Sequence, residues 1–416
     1  MDLSELKKLP NIIIDLGTNS IKFGFSSDLF PRHVIPNMIG QVKSNSFSPI
    51  KNYDNYYCGY DALYNSSSLD LSYPLLDNNG KFSPKVEYKK DFENIFHYIF
   101  KEKLQIDEVN YNILLIDSIF TSIKEQEIIA QILFEKFKIF NLHFEPQSVM
   151  SLYSTSKSSG LIINSGEMLT EIVPIYEGYI ISDCINRFPV GGYDLTKKFM
   201  EKYKKDFEEN NVCNKYYMGQ KIKEKFGQIF PSRKEYEDMI NKNEANKQEY
   251  YLPDGNTIEI GNEIYEIPEL MFTPELLNIQ GQNLPEIIVD TINKCEISTR
   301  KELFNNIILG GGNTCIKGFD QRLKNEINEL KKKNCGIIAM EERGYSAWIG
   351  ASRISTWGNF DTQWISRNEY FSKGLVENDY LFNYSGLNDK QKNQMIFNND
   401  INPDEIYKKY IMREQI

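Results

Sequence analysis

The sequence is poor in cysteine and histidine, the residues that ligate zinc or, in the case of cysteine, form disulfides. It contains six cysteines and three histidines in 416 residues, and the cysteines are scattered without a C-x-x-C pair. Zinc sites need Cys or His ligands at short spacings, and disulfide scaffolds are small secreted domains dense in cysteine. The pattern therefore predicts reduced thiols in a cytosolic or nuclear compartment and no zinc site.

Long apolar runs are absent as well. No stretch approaches the roughly 18 apolar residues of a membrane-spanning helix, and "MDLSELKKLPN" (1–11) lacks an apolar core of signal-peptide length. The formal net charge is -10, which disfavours adhesion to nucleic acids or anionic lipids. We therefore expect no membrane partner and no direct, specific nucleic-acid binding. "RLKNEINELKKK" (322–333) could form a basic face, but a solvated helix surface is the commoner role of such a run.

Two common nucleotide-binding motifs are also missing. The chain has no G-x-x-x-x-G-K-[ST] and no G-x-G-x-x-G after its first strand. It is therefore not a P-loop protein, and a dinucleotide-binding fold is disfavoured. A length of 416 residues suits two or three domain-sized units.

Three segments combine a strand with a glycine-rich turn. Runs 12–25 and 160–181 are typical of two strands joined by a polar glycine turn. In 305–319 a strand is expected to enter a glycine-rich turn before a helix over 320–333. Such a turn is more often plain structure, but three of them in one chain predict a nucleotide site.

The prediction of a nucleotide site rests on the glycines in these turns, because glycine permits positive φ and lets backbone N–H groups approach an anion closely. Asp15, at the first turn, could face a hydrated Mg²⁺, and Lys22 could reach back to the phosphates. Further donors could be the hydroxyls of Thr18, Ser20, Ser165 and Thr314.

The remaining patterns predict a mixture of helices and strands. Ser122 with Glu125 is a capping box for a helix over 122–137. Further expectations are helices over 91–104 and 345–356, a mostly helical 195–250, a buried strand over 112–117, a hairpin over 250–263 and an exposed, mobile insertion over 41–60.

From about residue 10 to about residue 374 the sequence resembles actin and the actin-related proteins. The most specific blocks are "YYLPDGNTIEIGNE" (250–263) and "YSAWIGAS" (345–352). The other blocks that carry the resemblance are "IIIDLGTNSIKFGFSSDLFPRHVIPNMIG", "QSVMSLYSTSKSSGLIINSGE", "VPIYEGYII", "GGYDLTKKFM", "QKIKEKF", "IILGGGNTCIKGFDQRL" and "QWISRNEY".

The resemblance implies an actin/Hsp70-like α/β fold, a duplicated ribonuclease-H-like architecture with two lobes and four subdomains around a nucleotide cleft. The first lobe would comprise 1–154 and 345–374, with subdomain 2 at about 41–80. The second lobe would comprise 155–344, with subdomain 4 at about 192–279, and 375–416 would be a C-terminal extension, favoured as disordered with a short helix over 402–416.

The implied cofactor is ATP or ADP with Mg²⁺. Asp15 would hold Mg²⁺ through water, and Gln147 would orient the attacking water. The family usually has glycine where Asn19 stands, although asparagine also tolerates left-handed geometry. The nucleotide-binding residues implied by the resemblance are Asp15, Gly17, Thr18, Asn19, Lys22, Ser165, Gly166, Glu167, Gly192, Lys223, Glu224, Gly311, Gly312, Asn313, Thr314 and Ile316.

Several positions depart from the family pattern. Asn164 replaces an Asp that helps to position metal-bound waters, and Glu171 replaces a His beside the attacking water. Met168 replaces a glycine, and Gly344 replaces a Lys that packs on adenine. An amide cannot act as a base, so we expect nucleotide binding with slow or absent hydrolysis. Neutral drift with hydrolysis intact is the alternative.

The surfaces that filaments use have also changed. The 41–60 stretch keeps only Phe47 and Ile50 as isolated apolar residues, and the expected plug loop reads "LLNIQGQNLPEI" (276–287). Fewer apolar anchors weaken an interface. A groove that takes a partner helix is expected at Tyr153, Trp348, Ile349, Ile354, Trp357 and Phe360. These side chains could instead be plain core residues.

The function predicted is therefore a divergent actin-related protein in a multiprotein assembly, with actin or other actin-related proteins among the partners. An actin-nucleating complex, the dynein-activating filament complex and a chromatin-remodelling complex remain open, and so do cytoplasm, cytoskeleton and nucleus. The alternatives are a filament-forming actin paralogue with ATPase activity and, less favoured by the two specific blocks, a small-molecule kinase on the same fold.

Overall fold

The computed structural model describes residues 10–43, 56–75, 89–210, 212, 214–242, 247–252, 255–277, 279–356, 360 and 363–373. Within these ranges no helix has the length and apolar character to cross a membrane. The described residues divide into two compact units. One contains the residues up to Lys157 and those from Tyr345, and the other contains Ser158–Gly344.

Strands and helices follow one another along the chain. The strands are β1 (Ile12–Leu16), β2 (Ser20–Phe25), β3 (His33–Pro36), β4 (Ile39–Val42), β5 (Tyr56–Cys58), β6 (Leu69–Ser72), β7 (Asn112–Asp117), β8 (Asn141–Pro146), β9 (Gly160–Ser165), β10 (Thr170–Tyr176), β11 (Tyr179–Ile180), β12 (Asn186–Phe188), β13 (Gln248–Tyr251), β14 (Thr257–Ile260), β15 (Ile307–Gly310), β16 (Ile337–Ile338) and β17 (Ile365–Ser366). The helices are α1 (Gly59–Tyr64), α2 (Lys89–His97), α3 (Ile123–Gln131), α4 (Gln147–Ser154), α5 (Gly192–Lys202), α6 (Lys204–Glu209), α7 (Lys215–Phe226), α8 (Arg233–Lys242), α9 (Glu263–Glu269), α10 (Leu284–Lys294), α11 (Ile297–Asn305), α12 (Phe319–Lys331), α13 (Ser346–Ile354) and α14 (Arg367–Lys373).

A six-stranded sheet with the order β17-β8-β7-β1-β2-β3 forms the centre of the first unit. β1 pairs antiparallel with β2 and parallel with β7. Its residues IIIDL are all buried, as expected for a strand covered on both faces. The hairpin predicted over 12–25 and the strand predicted over 112–117 are confirmed.

The exposed insertion predicted over 41–60 is wrong at its C-terminal end, whereas Gln41 at its N-terminal end is exposed as predicted, although it belongs to β4. A three-stranded sheet with the order β5-β4-β6 includes these ends. Tyr57 and Cys58 are buried, and Cys58 packs in the same apolar core as Ile39. The polar composition of 41–60 concealed β5, because the buried Tyr57 and Cys58 of this edge strand follow a run of polar residues.

Helices α2 and α3 confirm the predictions for 91–104 and 122–137, and each continues as a π-helix. Ser122 Oγ accepts from Glu125 N at 3.3 Å, and Glu125 Oε2 accepts from Ser122 N at 2.8 Å. The predicted capping box is therefore present. In α2 and its continuation, Phe96 and Phe100 stack 6.0 Å apart and help to cover the sheet.

Helices α4 and α13 cross closely within the first unit. A Cβ on Gly350 would stand 1.8 Å from the Met150 carbonyl oxygen, so the crossing depends on glycine. Trp348 is fully buried, and its indole N–H donates to the Ile13 carbonyl at 3.2 Å. The helix predicted over 345–356 is thus confirmed and is fixed to β1.

The second unit has its own six-stranded sheet. Its path is β11-β10-β9-β15-β16, and β12 pairs with β10. β9 is antiparallel to β10 and parallel to β15. The hairpin predicted over 160–181 is confirmed. The strand predicted in 305–319 is also confirmed, since β15 enters a 3₁₀ turn at Gly312–Cys315 before α12 begins.

Helices α5 to α8 confirm the helical prediction for 195–250, and β13 with β14 confirms the hairpin over 250–263. The loop predicted over 276–287 is wrong at its C-terminal end, where α10 begins at Leu284. Asn283 Oδ1 accepts from Glu286 N at 3.0 Å and caps this helix. An N-cap with an acidic residue three positions later is a helix start, and the plug-loop comparison obscured it.

A buried ion pair joins α12 to α9 in the second unit. Arg322 donates twice to Glu269, at 2.6 Å and 3.0 Å, and both side chains are 1% exposed. Arg322 Nε also contacts Glu326 on its own helix. Arg322 is the first residue of the run 322–333 that could have formed a basic face. Its charge is paired inside the protein and does not contribute to such a face.

Several predictions lie outside the described residues. They concern Phe47, Ile50, Trp357, the extension 375–416 and its helix over 402–416.

Candidate functional site

The first predicted phosphate turn joins β1 to β2, and two side chains hold its acid. Asp15 is buried and lies opposite Lys22 in the antiparallel register. Lys22 Nζ donates to Asp15 Oδ2 at 2.9 Å, and Gln147 Nε2 donates to Asp15 Oδ1 at 2.7 Å. These charge-assisted hydrogen bonds orient the carboxylate. Contact of Lys22 with phosphates stays a prediction.

Asn37 shapes the tip of this turn. Asn37 Nδ2 donates to the Gly17 carbonyl at 2.9 Å, and its backbone N–H donates to the Asn19 carbonyl at 2.9 Å. Thr18 lies between those two carbonyls and is partly buried. Asn19 does not use the left-handed geometry that asparagine tolerates, because it is not among the described non-glycine residues with positive φ.

Asp15 is the one residue of the first unit predicted to face magnesium. In the described part of the chain, no group of three or more His, Cys, Asp or Glu could hold a metal. Mg²⁺ usually keeps several waters and takes one or two carboxylates plus phosphate oxygens. A single oriented carboxylate fits that mode of binding. Gln147, the first residue of α4, contacts this carboxylate, which fits a role in orienting water.

The second predicted turn joins β9 to β10 and is closed by its own polar groups. Ser165 Oγ and Thr170 Oγ1 lie 2.7 Å apart, and both residues are fully buried. Gly166 N donates to the Leu169 carbonyl at 3.1 Å. The Ser165 hydroxyl therefore helps to shape the turn.

The two substituted positions of this turn face each other across the strand pair. Asn164 on β9 lies directly opposite Glu171 on β10. Both residues are buried, and directly opposed side chains lie on the same face, with Cβ atoms about 5 Å apart. The expected acid and histidine positions thus carry an amide and a carboxylate as neighbours.

The third predicted turn packs directly on the second. Gly311 has a φ of 82°, and a Cβ there would stand 2.2 Å from the Ser165 carbonyl oxygen. Asn313 Nδ2 donates to Gly166 O at 2.6 Å and to Ser165 Oγ at 3.2 Å. Thr314 Oγ1 turns inward to the Gly311 carbonyl at 2.8 Å. Gly312 has open space around its Cα, since nothing lies within 4 Å of a Cβ built there.

The start of α5 and one side chain of α7 complete this group within the second unit. Gly192 N donates to Gly166 O at 2.9 Å. Lys223 Nζ, which is buried, donates to Gly192 O at 2.9 Å. Burial lowers the pKa of Lys223, and the carboxylate of Glu167 opposes this effect. Burial raises the pKa of Glu167 to about 7, against the influence of the Lys223 ammonium.

The structure gives the surroundings of Glu224 and Ile316, two residues that the resemblance assigned to nucleotide binding. Glu224 accepts from Gln220 at 2.7 Å and pairs with Lys221 at 2.8 Å, so both oxygens are engaged within α7. Ile316 is buried in the apolar core of the second unit. A Cβ on Gly344 would meet only Cys315 Sγ, at 3.7 Å, so space is open where the family lysine would pack.

Sequence reasoning missed three residues that support these turns. They are Asn37 at the first turn, Asp194, and Arg343. Asp194 Oδ2 accepts from Gly191 N at 2.9 Å. Arg343 donates to the Thr314 carbonyl at 2.9 Å, and its own carbonyl accepts from Gly311 N at 3.1 Å. Only Asp194 had a sequence signal, because an acid in the first helical turn is a common capping residue.

Most of the side chains expected in a partner groove are buried. Trp348, Ile349, Ile354 and Phe360 are all less than 10% exposed, whereas Tyr153 is partly exposed. This placement agrees with the alternative that they are core residues.

A cavity of about 440 Å³ lies elsewhere in the first unit. Its lining includes Tyr57, Asp61, Lys90 and Tyr98. None of the predicted nucleotide residues lines it, so it is not part of the candidate site.

The chain matches the family model described as Actin over residues 6–377. The match spans most of the sequence and contains every residue of the candidate site. The predicted family resemblance and actin-like α/β fold class are therefore confirmed. Members of this family typically bind a nucleotide together with a divalent cation.

Proposed function

The chain belongs to the actin family, and we propose that it is a divergent member that binds ATP or ADP with Mg²⁺. Hydrolysis is slow or absent, and the protein works as a subunit of a larger assembly. The observation that carries nucleotide binding is Asn313, which joins the two glycine turns of the second unit at 2.6 Å and 3.2 Å. Turns held in this way can present backbone N–H groups to phosphates at little ordering cost.

The residues have separate roles in this proposal. Ser165, Gly166, Gly311 and Gly312 place backbone against the phosphates, while the N–H groups of Gly166 and Gly311 donate to the Leu169 and Arg343 carbonyls and hold the turns in shape. Thr314 supports this backbone by donating to the Gly311 carbonyl. Asp15 would hold Mg²⁺ through water, and the ion would supply positive charge against the phosphates. Gln147 positions a water.

Slow hydrolysis is supported by the pair of Asn164 and Glu171. An amide at position 164 cannot accept a proton from water. A carboxylate at position 171 adds negative charge where the reaction already develops it. Binding would then stabilise the folded protein by mass action rather than drive a cycle.

Nucleotide binding is tested by titrating the purified protein with ATP and Mg²⁺ in a calorimeter. We expect saturable binding that weakens when the metal is chelated. For a Kd of about 10 μM, a protein concentration of about 0.1 mM is on the order of ten times the Kd. Absence of binding at that concentration would contradict the proposal.

Membership of an assembly is supported by the stretches 41–60 and 276–287, which differ from those that filament-forming actins use. The partners would be protein subunits such as actin or other actin-related proteins. The assembly would lie in the cytoplasm, the cytoskeleton or the nucleus. A partner helix near Tyr153, Trp357 and Phe360 remains part of the proposal. Affinity purification from native cells should recover stoichiometric partners. In a sedimentation assay with Mg²⁺ and ATP, robust self-polymerisation would favour the filament-forming ATPase instead.

A further inference from the structure

Glu167 carries a buried carboxylate oxygen that no donor reaches. Its Oε1 is buried and has no hydrogen-bond partner. Its Oε2 lies 2.6 Å from the point where a Cβ on Gly192 would stand, and Lys223 Nζ and Asn313 Oδ1 each lie 3.0 Å from that point. The carboxylate is therefore folded against the start of α5, among the residues assigned to nucleotide binding.

The charges around Glu167 do not neutralise it. The cation that faces it is Lys223 on α7, which donates to the Gly192 carbonyl. The other charges are Asp194 on α5, which accepts from Gly191 N, and Glu224 on α7. Lys223 thus interacts with three carboxyl groups, of which Glu224 also pairs with Lys221 and Asp194 also interacts with Lys197. Within the residues that the structure describes, Glu167 has no second cation among the groups that act on it, and its Oε1 has no hydrogen-bond partner.

We propose that Glu167 takes up a proton from solvent when nucleotide phosphates bind, so that affinity for the nucleotide falls as the pH rises through neutrality. This inference rests on the proposed function. Glu167 lies in the turn between β9 and β10 that is assigned to the phosphates. A polyphosphate adds like charge beside a carboxylate that is already poorly neutralised, and like charge favours the protonated form.

In the unliganded protein, Glu167 is already partly protonated at neutral pH. Burial raises the pKa of Glu167 to about 7, so both forms of the carboxyl are populated at neutral pH. A further rise on binding would convert the charged fraction to the neutral form. The protonated carboxyl has an O–H group that can donate to a neighbouring acceptor, whereas the carboxylate can only accept.

The experiment counts protons during binding. Wild-type protein is titrated with ATP at saturating Mg²⁺ and pH 7 in two buffers of different ionisation enthalpy. We expect uptake of up to about half a proton, and an association constant that falls by up to about tenfold from pH 6 to pH 8. Glu167→Gln should bind ATP without this uptake. Titration of the nucleotide itself is common to both proteins and cancels in the difference.

Glu275→Gln is the matched control, because Glu275 is exposed in the same unit and is not assigned to the site. It should behave as wild type. Binding without proton uptake by wild type, or equal uptake by Glu167→Gln, would overturn the inference while leaving nucleotide binding intact. No binding by wild type at any pH would instead overturn the proposed function.

If Glu167→Gln does not fold, wild-type protein alone decides the question. Carboxyl ¹³C spectra should show one glutamate that titrates near pH 7 and ceases to titrate there when ATP and Mg²⁺ are added. Glutamates that all titrate below pH 6, with and without ATP, would refute the proton uptake.

Discussion

Gln147 Nε2 donates to Asp15 Oδ1 at 2.7 Å although the two residues are 132 positions apart. Lys22 occupies the other carboxylate oxygen at 2.9 Å. Asp15 therefore presents a fixed orientation. A carboxylate held in this way can direct the waters of a hydrated cation without losing side-chain freedom on binding.

Asp15→Asn should weaken Mg²⁺-dependent nucleotide binding by about tenfold or more, since an amide attracts a hydrated divalent cation less. The substitution should also cost about 1–3 kcal/mol of stability, because the ammonium of Lys22 loses its charged partner. ATP titrations with and without chelator measure the first effect. Asp107→Asn, at a side chain that is 68% exposed, is the control. Unchanged metal dependence in Asp15→Asn would contradict the assigned role.

Asn164→Asp should raise the rate of phosphate release from ATP by about tenfold or more, because it restores a group that can accept a proton. Adding Glu171→His should raise the rate further, since it removes the opposed carboxylate. A colorimetric phosphate assay under saturating ATP measures both variants. Actin-like hydrolysis by the parent protein, with no change in Asn164→Asp, would refute slow hydrolysis.

Gly311→Ala and Gly312→Ala should behave differently. Gly311 has a φ of 82°, and a Cβ there would stand 2.2 Å from Ser165 O. Its substitution should cost about 2 kcal/mol or more. Gly312→Ala meets nothing within 4 Å and should retain the wild-type Tm. A loss of ATP affinity in Gly312→Ala at unchanged Tm would then report phosphate close to this backbone, whereas unchanged affinity would remove Gly312 from the site.

Arg322→Met should destabilise the protein by about 3–5 kcal/mol, because it leaves the buried Glu269 carboxylate without its partner. Arg322→Met combined with Glu269→Leu should recover much of that loss. Urea unfolding measures both. Arg233→Met is the matched control, since Arg233 pairs with Glu237 at the surface, and it should cost no more than about 1 kcal/mol. Equal losses in the two single variants would show that the α9–α12 pair is not important for stability.

Glu167→Gln should change the pH dependence of unliganded stability. The pKa of Glu167 is raised from 4.5 to about 7 on folding, so the folded state binds the proton more tightly. The free-energy cost of ionising Glu167 in the folded protein is absent below pH 4.5. It grows until the pH exceeds about 7 and then lowers the free energy of unfolding by on the order of 1–3 kcal/mol. The variant should therefore match wild type near pH 4 and exceed its Tm near pH 8. Parallel melting profiles would contradict this burial effect.

Local patterns predicted most of the elements because their causes lie within a few residues. The hairpin over 12–25 follows from two strand-forming runs joined by a polar glycine turn. The helix over 122–137 follows from Ser122 and Glu125, three positions apart. The failures at 41–60 and 276–287 came where composition or family comparison was followed instead. β5 follows a polar run in sequence but buries Tyr57 and Cys58, and Cys58 packs in the same apolar core as Ile39 on β4.

The sequence by itself determined the family, the two hairpins over 12–25 and 160–181, the capped helix over 122–137, and the residue types at the three glycine turns. Tertiary structure alone decided which groups meet: Asn313 with Gly166 across 147 positions, Gln147 with Asp15, and Glu167 with its unmatched charges. The reason is that turn and helix signals act between near neighbours, whereas contacts and pKa values depend on burial and on charges brought together from distant parts of the chain.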